Sequence, residues 1–213
     1  MSTYIFVFDV DGVLIDSEKT KLAAFLDAVT GVCNLDPSTV EAVALYHMTH
    51  QGIPRQMKIE HVVGEIIGGS SEDASAVAAS YASILAERLP FCPMMRGVEG
   101  FLSAASAACY VASSAPVAEI RNILERHNLL SHFSGVYGYP PAKAQTLADL
   151  KDKFSPAEVV FFGNAAADWD AALIAGVHFV AVNPTDELRR SVSGWVADFA
   201  DIDQVMTAVY SAG

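Results

Sequence analysis

Two aspartates one residue apart, Asp9 and Asp11, stand directly behind a short apolar run, Tyr4-Ile-Phe-Val-Phe8, and directly ahead of Gly12. In extended chain alternate side chains point the same way, so this spacing presents both carboxylates to one place. One can then act as a nucleophile while the other donates and removes a proton. Neighbouring carboxylates raise one another's pKa, so keeping the nucleophile ionised requires a cation. Mg²⁺ suits the pair, because it is hard, prefers oxygen and is commonly held by one or two carboxylates plus waters and a substrate phosphate oxygen. Gly12 permits the tight turn that must follow. Taken alone, Asp9-Val-Asp11-Gly12 reads equally well as an acidic turn after a strand.

The elements that would position these acids follow from hydrophobic patterning. A short, continuous apolar run such as Tyr4–Phe8 reads as a strand buried on both faces. Three further runs, Tyr110-Val-Ala112, Val159-Val-Phe-Phe162 and Phe179-Val-Ala-Val182, are separated by helix-like chain. That alternation predicts an α/β fold with a doubly wound parallel sheet, whose ligand crevice lies at the carboxyl ends of the strands. Between about Ser17 and Pro90 the period is helical, with Leu22, Phe25, Leu26 and Val29 on one face and Val77, Tyr81, Ile84 and Leu85 on another. Asp16-Ser17 and Pro90-Phe-Cys-Pro93 border this stretch. The expected organisation is a core of residues 1–16 and 91–213 with a helical cap of residues 17–90 inserted into it.

A second place for chemistry is Val111-Ala-Ser-Ser114, a strand ending in hydroxyls before a helix beginning near Pro116. Helix N-termini attract anions through free N–H groups and the dipole. Plain N-capping by Ser113 or Ser114 is the competing explanation.

The string Phe6-Val-Phe-Asp-Val-Asp-Gly-Val-Leu-Ile-Asp-Ser-Glu18 resembles the first motif of the haloacid dehalogenase-like phosphatases, of the phosphoglycolate phosphatase-like branch with a helical cap inserted after that motif. The resemblance implies a Rossmann-like core, a Mg²⁺ cofactor, a small phosphorylated metabolite as substrate and an aspartyl-phosphate intermediate on Asp9, with Asp11 as general acid and base. It implies that Ser113 hydrogen-bonds the transferred phosphoryl group, with Ser114 beside it. It implies that Lys143, which follows Tyr139-Pro-Pro-Ala142, neutralises the nucleophile and the phosphate. The proline usual directly after that lysine is absent here, and Lys151 and Lys153 are poorer alternatives. In the cap, Gly52-Ile-Pro-Arg55 resembles the segment whose arginine reaches a substrate oxyanion in some relatives, a role that suits the bidentate guanidinium.

The fourth motif departs from the family. Relatives read Gly-Asp-x-x-x-Asp, whereas this chain has Gly163-Asn164-Ala-Ala-Ala-Asp168. The implied metal ligands are therefore Asp9, Asp11, Asn164 and Asp168, with one negative charge fewer than usual and weaker binding expected. Asp170 is a less typical helper. Three rivals to phosphate hydrolysis follow. A sugar phosphomutase would share the intermediate, but Glu18-Lys-Thr-Lys21 lacks the histidine such relatives carry. A metal-free 2-haloacid dehalogenase is suggested by Asn164, but those enzymes lack the second aspartate of the first motif. A catalytically impaired binding protein is the third.

Bulk composition narrows the partners. A formal net charge of −12 with no Lys/Arg cluster argues against nucleic acid. No apolar run approaches the ~20 residues of a membrane-spanning helix. The start of the chain has no basic segment or cleavage site of the signal-peptide kind, and Cys33, Cys92 and Cys109 are odd in number and unpatterned, which suits reduced thiols in the cytoplasm. The cysteines are assigned to packing, Trp169 and Trp195 to the core, and His47 and His50, three residues apart, to the surface or the interior of the cap.

Overall fold

The computed structural model describes residues 4–212. The chain divides into two compact units, one from Met1–Asp16 with Pro93–Gly213 and the other Ser17–Cys92. Phe91 and Cys92 group with the helical unit, where the Cys92 N–H donates to the Leu89 carbonyl and closes a 3₁₀ turn.

The first unit is built on a six-stranded sheet: β1 (Tyr4–Phe8), β2 (Ala108–Ala112), β3 (Phe133–Tyr137), β4 (Glu158–Gly163), β5 (His178–Val182) and β6 (Gly194–Val196). All neighbours pair in parallel, in the order β3-β2-β1-β4-β5-β6. The helices are α5 (Val98–Ala104), α6 (Val117–Arg126), α7 (Lys143–Phe154), α8 (Ala166–Ala175), α9 (Asp186–Ser191) and α10 (Ile202–Ser211). Among the described residues no helix is long and apolar enough to cross a membrane.

Alternation along β1 serves two cores. Ile5 and Val7 join Tyr110, Leu147, Leu150, Phe161 and Phe179 on the side of α7 and α8. Phe6 and Phe8 enter an aromatic cluster with Phe101, Phe162 and Phe199, in which the Phe8 and Phe162 rings stack at 4.8 Å. Both faces are dry, which is why the strand reads as a continuous apolar run. The edge strands β3 and β6 escape that pattern. Phe133-Ser-Gly-Val-Tyr137 is only half-buried and Gly194–Val196 is short, so neither has an unbroken apolar run.

Trp195 corrects an expectation of burial. It lies on edge strand β6, 38 % exposed, with the Arg189 guanidinium 4.1 Å above its ring. Trp169 is partly buried and packs against the α7/α8 core.

The second unit contains α1 (Glu18–Val32), α2 (Pro37–Thr49), α3 (Arg55–His61), which runs into a π-helical stretch Val62–Ile67, and α4 (Ser71–Arg88). Asp36 caps α2 through the Ser38 and Thr39 N–H groups, with Pro37 at the first helical position, where no N–H is required. Ser70 and Asp73 form a reciprocal capping box on α4. On α1 the buried face is Ala24, Phe25, Ala28 and Val29 rather than the predicted Leu22/Phe25/Leu26/Val29 stripe. Small alanines let α1 approach α4, where Phe25 meets Tyr81 edge-on at 5.2 Å, and Leu22 and Leu26 fall at the margin. Cys92 and Cys109 are buried and Cys33 half-buried, all as free thiols.

Candidate active site

Asp9 directly follows β1, the strand from which the order runs one way to β2 and β3 and the other way to β4, β5 and β6. A parallel sheet leaves a crevice at such a point, beyond the carboxyl ends of its strands. Asp9 continues the parity of Ile5 and Val7, so its carboxylate emerges on the side of α7 and α8. Its backbone is tied to the sheet by an N–H bond to the Phe162 carbonyl. The chain then folds back, with Leu14 and Ile15 N–H groups donating to the Val10 carbonyl and Gly12 N–H to Ile15.

Lys143, the first residue of α7, meets the Asp9 carboxylate on that side. Its Nζ donates to Asp9 Oδ2 at 2.8 Å and to Asp168 Oδ1, and lies 5.5 Å from the centre of the Phe161 ring. All three charged groups are buried. The other Asp9 oxygen, Oδ1, accepts the Val10 N–H at 2.7 Å. Lys151 instead bonds the Gly176 carbonyl, and Lys153 lies over Phe154, so neither competes for the site.

Burial raises the Asp9 carboxyl most. Lys143 draws it down, and Asp168 and Asp11 push it up again, leaving it at about 6. Burial works against the Lys143 ammonium too, but Asp168 and Asp9, by charge and hydrogen bond, outweigh it and hold the group above the ordinary lysine range. The lysine therefore stays charged beside the two carboxylates it holds.

Asp168, an expected metal ligand, is hydrogen-bonded on both oxygens. Its Oδ1 holds Lys143, and its Oδ2 accepts the N–H groups of Asn164 at 3.0 Å and Ala165 at 3.1 Å, which open α8. A carboxylate at the third position of a helix, fully buried and engaged on both oxygens, fixes the lysine and the helix start. Asp170 is exposed on the same helix.

Ser113 follows β2 beside β1 and is buried. Neither serine caps α6, whose N-cap is Pro116. Ser113 Oγ instead accepts the Ala115 N–H at 3.3 Å, leaving its own O–H available to donate. Ser114 is half-buried. Arg55, at the start of α3, has its guanidinium 5.1 Å from the Tyr81 ring centre within the helical unit.

Two glycines of the motifs allow close approach at the site. Gly12 has φ +73°, and a Cβ there would sit 2.2 Å from Asn164 Nδ2, so the amide of Asn164 packs on the loop that carries Asp11. A Cβ at Gly163 would sit 2.5 Å from Asp168 Cβ, so only glycine lets α8 start so close to β4. The signal for both lay in the sequence, as a glycine beside each acidic or amide position.

The donor chemistry fits a hard divalent cation. Asp9, Asp11 and the side-chain oxygen of Asn164 are oxygen donors on the ends of the adjacent strands β1 and β4. Among the described residues no group of three or more His, Cys, Asp and Glu side chains has a metal-holding arrangement. The side-chain oxygen of Asn164 is one further donor that an oxygen set here could draw on.

Comparison with known proteins agrees with this architecture. A family model described as haloacid dehalogenase-like hydrolase matches residues 6–182. No curated protein matches the chain. Among solved structures, a predicted phosphoglycolate phosphatase from Haemophilus somnus is 20% identical with a TM-score of 0.80, over 97% of this chain and 99% of that one. A predicted phosphatase from Clostridium acetobutylicum is 16% identical with a TM-score of 0.74, over 99% of each chain. A β-phosphoglucomutase from Clostridium difficile is 16% identical with a TM-score of 0.73, over 98% of this chain and 97% of that one. At such identities the likeness is one of fold.

Proposed function

This chain belongs to the haloacid dehalogenase-like hydrolases, and from that premise we propose that it hydrolyses a small phosphomonoester through an aspartyl-phosphate on Asp9. The observation that carries the reading is the buried contact of Lys143 Nζ with Asp9 Oδ2 at 2.8 Å, with Asp11 close enough to perturb the same carboxyl. A general binding protein has no use for a nucleophile tied to a cation and crowded by a second acid; an acyl-phosphate mechanism needs both.

Asp9 attacks phosphorus with one carboxylate oxygen while its backbone stays fixed to β4 through the Phe162 carbonyl. Asp11 protonates the departing alkoxide, then takes a proton from the water that hydrolyses the acyl-phosphate. Ser113 donates its O–H to an equatorial phosphoryl oxygen, and Ser114 lies beside it. Lys143 counters charge on the nucleophile and the phosphoryl group, and Asp168 is the residue that positions Lys143. Asp9, Asp11 and Asn164 would hold Mg²⁺, which when bound supplies the positive charge that keeps Asp9 ionised and balances the phosphoryl oxygens.

Hydrolysis is preferred to phosphoryl return onto a sugar, because Glu18-Lys-Thr-Lys21 has no histidine to serve the second transfer. Asn164 in place of an acid favours a weakly held metal over a metal-free site, since the acids at Asp9 and Asp11 remain.

The test is phosphate release from a panel of small phosphomonoesters, with and without Mg²⁺, by the natural chain and by Asp9→Asn. Magnesium-dependent release that vanishes in Asp9→Asn is expected. Release that persists in Asp9→Asn removes that residue from the nucleophile's place, and silence of the natural chain across the panel removes the phosphatase reading.

A further inference from the structure

The amino ends of β1 and β2 border a cavity in the sheet unit that the aspartate pocket does not use. Its volume is about 690 Å³, within the range of small-molecule pockets. Tyr4, which lines it, opens β1, and Asp9 follows the end of that strand, so the cavity stands about 16 Å along the strand from Asp9.

The floor is Phe6 and Phe101, both nearly fully buried, with their rings stacked at 5.9 Å. Tyr4 and Tyr210 continue the row, Tyr4 at 6.2 Å from Phe6 and Tyr210 at 6.1 Å from Tyr4. One wall belongs to α10, where Ile202, Met206 and Tyr210 recur every fourth residue and so share a face. The same helix already buries Val205, Ala208 and Val209. Ile202 is 39 % and Tyr210 64 % exposed, so α10 turns a second apolar face to the cavity where a surface helix is ordinarily polar. Residues 104–107, at the end of α5 and the turn into β2, contribute only alanine and serine, and these short side chains leave the space open.

The lining restricts what can enter. Among the described residues no charged side chain lines the cavity, although the chain carries a net charge of −12. A charged guest would lose hydration there without gaining a counter-charge, whereas an uncharged one avoids that cost. Four aromatic rings favour a flat π-system over a saturated molecule, through offset-stacked and edge-on contacts. The hydroxyls of Tyr4, Ser106 and Tyr210 are polar partners for its heteroatoms.

We infer that this cavity is a second binding site, which takes an uncharged, flat aromatic molecule of the indole or neutral heterocycle class. The inference stands apart from the phosphatase reading, because none of its residues belongs to the aspartate pocket.

The experiment titrates the full chain, ¹³C-labelled at its methionine methyls, with indole, cyclohexanol and indole-3-acetate. The Met206 resonance is assigned with Met206→Leu. A saturable movement of that resonance with indole is expected. Cyclohexanol, which lacks a π-system, and indole-3-acetate, which carries a charge, should each require at least about tenfold more for half-saturation. Ala104→Trp, which adds a large ring from an exposed position on the wall, should abolish the movement with indole. If that variant does not fold, Ser106→Trp serves with the same expectation. The absence of a saturable movement with indole overturns the site, and so does a movement that persists unchanged in a folded filled variant. Half-saturation by cyclohexanol or by indole-3-acetate at the same concentration as indole overturns the ligand class.

Discussion

Replacing His47 with glutamine should flatten the acid side of the stability profile. The ring is buried against Phe25, and burial first, then Lys58 and Lys21, hold its pKa at about 3 against an ordinary 6.5. A histidine whose folded pKa lies below its unfolded value binds fewer protons in the native state, so the native state loses stability as pH falls. The loss begins near the unfolded value of 6.5 and continues until pH reaches the folded value of about 3. Over that whole window the group is worth at most about 5 kcal/mol, and between pH 7.5 and 5 it accounts for about 2 kcal/mol. The assay is urea unfolding of the natural chain and His47→Gln at several pH values across that interval, with chelator present so that metal linkage does not enter. The absolute cost of glutamine is immaterial, because only the change of the difference with pH reports the histidine. The variant should gain about 2 kcal/mol on the natural chain from pH 7.5 to 5. A difference that stays constant across the interval would refute the argument, and would mean that His47 gains a partner or solvent on protonation.

The remaining predictions concern the aspartate pocket. Lys143→Met strands two buried carboxylates, so unfolding measurements without metal should show a loss of about 3–5 kcal/mol, and turnover should fall with it. Asp168→Asn should loosen Lys143 while keeping amide acceptance from the α8 N–H groups, and its signature is a lower kcat with KM little changed; a loss confined to KM would mean that Asp168 touches substrate instead. Asn164→Asp adds a charged oxygen donor and should tighten Mg²⁺ binding about tenfold by calorimetry, whereas unchanged affinity would place the metal away from this residue. Gly12→Ala meets both a left-handed backbone and the Asn164 amide, and should cost more than about 1 kcal/mol in thermal or urea unfolding.

The acidic motif behind an apolar run was legible because chemistry and strand patterning coincide in a few consecutive residues. Asp9 and Asp11 needed no tertiary information to be singled out, and neither did the central strands, since β1, β2 and β4 are buried on both faces and show it as unbroken apolar runs. The edge strands β3 and β6 were missed for the converse reason: one side of each faces no neighbour, so their residues are half-buried and mixed. Helix periodicity identified α1, but its buried face turned toward Ala24 and Ala28, because close helix approach rewards small side chains that a count of large apolar residues overlooks.

What the residues by themselves determined was therefore the inventory: the paired aspartates, the hydroxyl at the second strand end, the lysine at a helix start and the unusual Asn164. What only the tertiary structure decided was the assignment of those groups to one another. Lys143 stands 134 positions from Asp9, and nothing local says that it will reach the same carboxylate. Asp168 is singled out by its position in the fourth motif, but only the fold shows that its oxygens also hold Lys143 and the N–H groups that begin α8. Likewise His47 carries no motif, and its burial beside two lysines arises only when three helices pack together. Residue type and spacing govern which bonds a side chain can make; which of them it makes depends on the distances and the loss of solvent that packing imposes.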